Sequence, residues 1–328
     1  MEALFNPSVL AAAFRIATPL LLAALGCLMC HKAGVENLAI EGFMLMGCFI
    51  SIACITLTNG SALLGMLAAM VGTGIYSALF ALVVVKFKAN EIVSSIAINM
   101  LSVGLTSFLL RSVLGAQGMI RPSNIQKIPN MQLDFLKNVP ILGSIFSNQS
   151  FLVPLTIVLA FVTAFVLRRT DYGLKVTSLG ESEGAARSAG IKVERVKWSV
   201  ILLSGVLCGI AGAYLSSTIL SEFAEEMVQG RGFTAYTAVI FGGSHPILVW
   251  LVSLLFGWSE AIGVQIELAG IGVPSAIVKM FPYVLAIVVL VISSLSAKKR
   301  KEGKTAPKGK KKRQNSGMEV DGSCQEQH

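Results

Sequence analysis

Apolar residues run through this chain in long uninterrupted blocks, and the polar residues gather between them. Blocks at 9–30, 38–58, 61–85, 90–110, 151–167, 198–220, 247–266 and near 276–297 mostly approach the roughly 20 residues that a helix needs to cross a bilayer. Short breaks such as Thr58-Asn59-Gly60 join some of them. The stretch 111–150 is a long hydrophilic connection with an interfacial patch at 140–146. One apolar piece, 233–241, is too short to span at 1.5 Å per residue, and Gly242-Gly243-Ser244-His245-Pro246 follows it. It reads either as a half-helix or as part of a tilted, kinked span. Interrupted helices survive in lipid only where protein or a water-filled cavity satisfies the freed backbone, which favours a transport pathway over a passive anchor. The pattern therefore predicts an all-α polytopic membrane helix bundle of about eight to ten transmembrane helices, some broken or re-entrant.

Charge orients the bundle. Residues 168–197 carry seven Lys or Arg and four Asp or Glu, and so form an aqueous loop. Its basic excess places it in the cytoplasm. Alternating backwards puts 111–150 outside, Lys86 and Lys88 inside, Asn59 outside, His31 and Lys32 inside, and the N-terminus outside. The basic tail at 298–304 belongs inside too, which requires an even number of crossings after Lys197. Counting 233–241 as a crossing gives four, and nine spans in all. Arg15, about two turns into the first block, reads as a side chain snorkelling to the near interface.

Composition agrees. Of 328 residues 54% are hydrophobic and 14% charged, against about 25% charged in soluble domains. The net charge of +9 divides into +6 on residues 298–328 and +3 on the rest. Most of the basicity thus belongs to one tail, expected to be disordered and to touch anionic lipid headgroups, and nucleic acid is not an expected partner. The domain division is a transmembrane body at 1–297, with its charged loop at 168–197, and a cytoplasmic tail at 298–328. Residues 1–8 carry no basic n-region, which argues against a cleaved signal peptide. Cys27 and Cys30 have CxxC spacing, but without a second pair they read as packing residues.

Polar groups at membrane depth are costly and mark candidate chemistry. Asn37 leads into the second span and Glu41 is drawn one turn into it. Glu91, Ser95 and Asn99 stand four apart, on one face of a helix. These five are the candidate substrate-pathway residues, and the competing reading of Glu91 is an ordinary first-turn carboxylate at a helix N-terminus. Gly205, Gly209 and Gly212 have the small-residue spacing that lets another helix approach closely. In the charged loop, Glu183-Gly184-Ala185-Ala186-Arg187-Ser188-Ala189-Gly190 suits a short small-surfaced helix that Gly190 ends.

That last string resembles the cytoplasmic coupling helix of ABC importer permeases, with Gly184 where the first Ala of the pattern stands. GVENLAIEGFMLMG resembles the Gly-Val-x-Asn-Ile-x-x-Glu-Gly signature of the branched-chain amino acid, ribose and nucleoside permease family, with Leu38 for the usual Ile. ANEIVSSIAINML, GRGFTAYTAVIFGG and MFPYVLAIVVLV resemble its further blocks in the same order, closest to nucleoside or simple-sugar uptake permeases of bacterial cytoplasmic membranes. The resemblance implies an importer subunit that binds no cofactor and is no enzyme, with ATP on a partner ATPase, a second homologous permease, and a substrate-binding lipoprotein outside. It also implies that Glu183, Ala185, Ala186 and Gly190 dock on the ATPase. The sequence has no phosphate-binding GxxxxGK[ST] loop: Gly303-Lys304-Thr305 imitates its end, but Lys298 stands where the first Gly belongs.

Two other classes are kept. A secondary transporter would use Glu41 or Glu91 to couple an ion and needs no docking loop. A receptor or scaffold needs neither broken helices nor intramembrane carboxylates. Among importers, Asn37, Asn99 and Glu41 could meet ribose hydroxyls and base edges, and a free sugar would use the same groups.

Overall fold

A backbone in hydrocarbon must close its own hydrogen bonds, so the apolar blocks become helices. The computed structural model describes residues 7–58, 60–122, 125, 130–131, 149–268, 280 and 284. In chain order the helices are α1 (Pro7–Lys32), α2 (Ile40–Leu57), α3 (Ala62–Ala81, continued by a π-helical turn Leu82–Lys86) and α4 (Glu91–Val113). Then come α5 (Leu152–Arg169), α6 (Asp171–Glu181), α7 (Glu183–Ser188) and α8 (Val193–Tyr214, continued by a π-helical turn Leu215–Leu220). Last are α9 (Arg231–Phe241) and α10 (Pro246–Leu268). Four two-residue strands, β1 (Met119–Ile120), β2 (Asn130–Met131), β3 (Gln149–Ser150) and β4 (Phe223–Ala224), form two antiparallel pairs, β1 with β4 and β2 with β3. Among the described residues seven helices are long and apolar enough to cross a membrane: α1, α2, α3, α4, α5, α8 and α10. The chain is a polytopic all-α bundle. The expected last span near 276–297, apart from residues 280 and 284, the 140–146 patch and the tail at 298–328 lie outside the described residues.

Capping side chains set several of these starts. Ser61 accepts from the Leu64 N–H before α3, Asn90 from Ile92 and Val93 before α4, Thr170 from Gly173 before α6, and Ser182 from Ala185 before α7. Each satisfies a donor that the first helical turn leaves open.

Burial divides the helices into an inner and an outer set. The most apolar window of α1 is 83% buried and that of α4 only 28%, so α1 is a core helix and α4 a peripheral one. Leu63, Leu67, Val71 and Ile75 of α3 and Phe161 and Phe165 of α5 point outward at helical spacing, as suits lipid. Helix α8 lies against α1, α2 and α3, and its glycines stand at the contacts. A Cβ on Gly205 would meet the Ser77 hydroxyl, and one on Gly209 would meet the Thr73 hydroxyl and lie 2.7 Å from the Ala69 carbonyl. One on Gly212 would meet the Met44 carbonyl and lie 2.8 Å from the Cys48 nitrogen. Cys27, Cys30, Cys48 and Cys208 are buried free thiols in the same region. Arg15 is exposed, with its Nε 3.5 Å from Gln149 Oε1 of β3, just before α5.

The short piece after α8 has a definite course. Where α8 ends, β4 pairs with β1 beyond the C-terminal end of α4, through Met119↔Ala224 and Ile120↔Phe223. From there residues 225–230 run without a regular helix to α9, eleven residues long. Past its end, His245 meets Arg168 at the C-terminal end of α5. Stretch and half-helix together thus carry the chain from one end of the bundle to the other, back to the end that bears Lys32, Lys86, Lys88 and the 168–197 loop.

Candidate functional site

The second interruption lies between α1 and α2, and the two interruptions meet. At its start the freed N–H groups of Ala33, Gly34 and Val35 return to the last carbonyls of α1, at 2.9 Å to Cys30, 3.1 Å to His31 and 3.0 Å to Cys30. From Glu36 the chain runs without regular secondary structure to α2, and one face of α4 supplies partners for it and for the first turn of α2. Glu91 Oε2 accepts from the Glu36 N–H at 2.6 Å and Ser95 Oγ from the Leu38 N–H at 3.1 Å. Asn99 accepts from the Gly42 N–H at 2.8 Å and donates to the Leu38 carbonyl at 3.0 Å. Because Asn90 caps α4, the Glu91 carboxylate is released from capping to reach the neighbouring chain.

The other side of the same stretch holds the half-helix. Gly230, with φ of +84°, turns the chain into α9. Glu41 accepts from the Gly230 N–H at 2.8 Å and from the Gly232 N–H at 2.7 Å. A carboxylate thus sits on the positive end of a helix that begins inside the bundle, the arrangement that a helix dipole and charge-assisted hydrogen bonds favour. The approach is close, since a Cβ on Gly232 would lie 2.5 Å from the Glu41 nitrogen. Arg231 turns away, to Glu260 of α10 at 2.6 Å. One and a half turns further on, Tyr236 donates to Glu36 Oε2 at 2.5 Å, while His31 Nδ1 lies 3.2 Å from Glu36 Oε1. Asn37 ties in a third helix: its amide donates to Ser204 Oγ of α8 at 3.1 Å and its oxygen accepts from the Ala39 N–H at 3.0 Å.

The five candidate pathway residues Asn37, Glu41, Glu91, Ser95 and Asn99 are thus brought together around one broken segment, each hydrogen-bonded within the protein. Chemically, the arrangement is a polar region in an apolar bundle that keeps two non-helical segments satisfied in lipid. Ser204, Gly230, Gly232, Tyr236 and the Arg231–Glu260 pair complete it. Gly230 and Gly232 lie in the GRGFTAYTAVIFGG block, but nothing local shows which carboxylate they would face. Among the described residues no three His, Cys, Asp or Glu side chains converge as a metal site would require.

The charged loop folds into α6 and α7 and touches this region. Gly34, with φ of +71°, comes so close that its Cβ would lie 3.3 Å from the Gly180 Cα, and a Cβ on Gly180 would strike the Lys32 carbonyl. Helix α6 therefore rests on the corner where α1 ends and the broken stretch begins. In α7, Ala186 is 2% exposed and faces the protein, whereas Ala185 and Gly190 are exposed. Gly190 has φ of +81° and its N–H returns to the Arg187 carbonyl at 3.0 Å, a glycine stop. Glu183 binds Lys197 at 3.0 Å and Arg187 at 3.1 Å. The hydrogen bond from Lys197 chiefly, then the charges of Lys197 and Arg187, hold its carboxyl below the usual range against a smaller burial effect. In α6, burial pushes the Tyr172 phenol up, and its hydroxyl is 2.8 Å from Ser199 Oγ.

Comparison with known proteins agrees with this architecture. Residues 9–290 match the family model of the branched-chain amino acid transport system permease component. The guanosine ABC transporter permease protein NupQ of Bacillus subtilis (strain 168) is 33% identical over 287 residues, covering 84% of this chain and 88% of the relative. The nucleoside ABC transporter permease protein NupC of Lactococcus lactis subsp. cremoris (strain MG1363) is 35% identical with the same coverage. The putative glucose ABC transporter permease protein TsgC13 of Haloferax volcanii is 29% identical over 79% of this chain and 77% of its own length. No solved structure matches. A bundle of seven described spans, with its two interruptions joined by Glu36 and Glu41, is thus the form taken here by a permease component, and the chain belongs to the branched-chain amino acid transport system permease family.

Proposed function

We propose that this chain imports a nucleoside or a related sugar-containing solute, as one membrane subunit of an ATP-driven importer in the plasma membrane. The observation that carries the substrate class is the likeness to the two nucleoside permeases at 33 and 35% identity over most of both chains. A simple sugar is the second reading, favoured by the 29% likeness to a putative glucose permease. The chain binds no nucleotide, and ATP hydrolysis belongs to a separate subunit seated beneath α7. A second homologous permease completes the pore and an extracytoplasmic binding lipoprotein delivers the solute. The basic end of the bundle faces the cytoplasm, and the tail at 298–328 lies on that side.

The mechanism is alternating access. Movement of the ATPase displaces α7 through Glu183, Ala185 and Gly190, with Ala186 anchoring the helix to its own bundle. Helix α6 passes the displacement to the Lys32–Gly34 corner, and the hinge bearing Asn37, Glu41, Glu91, Ser95 and Asn99 rearranges around the solute. Support for this route is the contact of Gly180 with Gly34, which joins the loop to the broken stretch without an intervening side chain.

The test is uptake into cells expressing this chain with its ATPase, second permease and lipoprotein, comparing labelled guanosine and adenosine with ribose and glucose. Nucleoside uptake that stops when the ATPase is inactivated is the expected result. Sugar uptake alone would transfer the assignment to the second reading, and uptake driven by an ion gradient without the ATPase would refute the ATP-driven mechanism.

A further inference from the structure

A groove of about 350 Å³ opens at the basic end of the bundle, lined by Lys88, Arg187, Lys192, Glu194 and Arg195 together with Ile191 and Val193. Four cations face one carboxylate. Arg187 is occupied by Glu183. Lys88, Lys192 and Arg195, all exposed, have no ion-pair partner among the described residues. Like charges that share a concavity repel one another, which favours an anion there.

The surroundings indicate where that anion comes from. Lys88 sits in the connection between α3 and α4, next to Phe87, 68% exposed, and followed by Val93, 66% exposed. These side chains continue the outward apolar faces of the two helices, so the groove opens beside the surface that meets acyl chains. Trp198, partly buried one turn beyond Arg195 on α8, is the type of residue enriched at headgroup level. Lys88 is held with φ of +54°, a left-handed conformation rare for a residue other than glycine, and so the connection that presents it is a defined turn. We propose that this groove binds the phosphate of an anionic phospholipid, with the acyl chains lying along Phe87 and Val93. The ligand chemistry is a phosphate monoester or diester, and the lipid is favoured over a soluble phosphate because the cations and the acyl-facing side chains are contiguous.

The test uses the full chain in lipid nanodiscs of phosphatidylcholine with a minor fraction of phosphatidylglycerol, reading the lipid retained on native mass spectrometry. Wild type is expected to retain phosphatidylglycerol over phosphatidylcholine. Lys88→Gln and Arg195→Gln are each expected to lower that preference about fivefold, as roughly 1 kcal/mol per basic residue implies. Both residues are exposed and unpaired, so the fold tolerates their loss; Lys192→Gln serves as an independent third variant. Neutralising the basic residues of the 298–328 tail is expected to leave the retained lipid unchanged. The proposal is overturned by equal retention in all three groove variants, by displacement of the lipid with excess inorganic phosphate, or by variants that keep the lipid but lose the partner ATPase in co-purification.

Discussion

Glu41→Gln isolates the junction between the two broken helices. The glutamate oxygens take the Gly230 N–H at 2.8 Å and the Gly232 N–H at 2.7 Å. Glutamine keeps one oxygen, and its amide nitrogen then faces the other N–H donor to donor. One charge-assisted bond, worth about 1.5 to 3 kcal/mol, is lost and a buried donor is left open. The favourable charge at the N-terminus of α9 goes as well, worth up to about 2 kcal/mol in a partly buried geometry. Because these effects overlap, a loss of about 3 kcal/mol in the local closing of α9 is expected, or roughly 150-fold in its opening equilibrium. Hydrogen exchange read by mass spectrometry on peptides covering 227–236 measures it directly. Exchange there is expected to rise on the order of 100-fold in Glu41→Gln. In Glu91→Gln the remaining oxygen can still accept from Glu36, so only about 1 kcal/mol is at stake and peptide 227–236 stays protected. Unchanged exchange in a correctly inserted Glu41→Gln protein would refute the view that this carboxylate holds the half-helix in place.

Other outcomes follow from the same geometry. Gly212→Ala forces α8 off the Met44 carbonyl and is expected to cost about 1 to 3 kcal/mol or more of overpacking, whereas Gly184→Ala meets nothing within 4 Å; fluorescence-detected size exclusion separates the two. Gly190→Arg is expected to insert normally but to lose transport and coupled ATP hydrolysis, because φ of +81° opposes any side chain and the new one projects from the exposed face of α7; full uptake refutes the docking role. Lys197→Gln removes the main cause of the lowered Glu183 pKa, so its titration moves up toward ordinary carboxylates, as carboxyl-carbon NMR would record. The Glu183 contribution is present above the ordinary carboxylate pKa and is lost as pH falls through the lowered one. Since the Glu183 side chain is 46% exposed, solvent screening keeps that contribution under about 1 kcal/mol.

Much of the fold was legible in the sequence, because hydrophobic length and local spacing are properties of contiguous residues. The spans at 9–30 through 247–266, the short piece at 233–241, the glycine stop at Gly190 and the shared face of Glu91, Ser95 and Asn99 all follow from a helix rising 1.5 Å per residue. The motif blocks pointed to the family for the same reason. Tertiary structure alone decided what those side chains meet. Nothing near Glu41 indicates that its partners are amides 189 and 191 residues away, and nothing near Glu91 indicates that it serves the backbone of 36–42. Local pattern also left open which alanine of α7 turns inward, and it turned out to be Ala186 and not Ala185. Hydrogen bonds between remote segments depend on how whole helices approach one another. A chain read in order specifies which polar groups must be satisfied in lipid, and the packed bundle selects their partners.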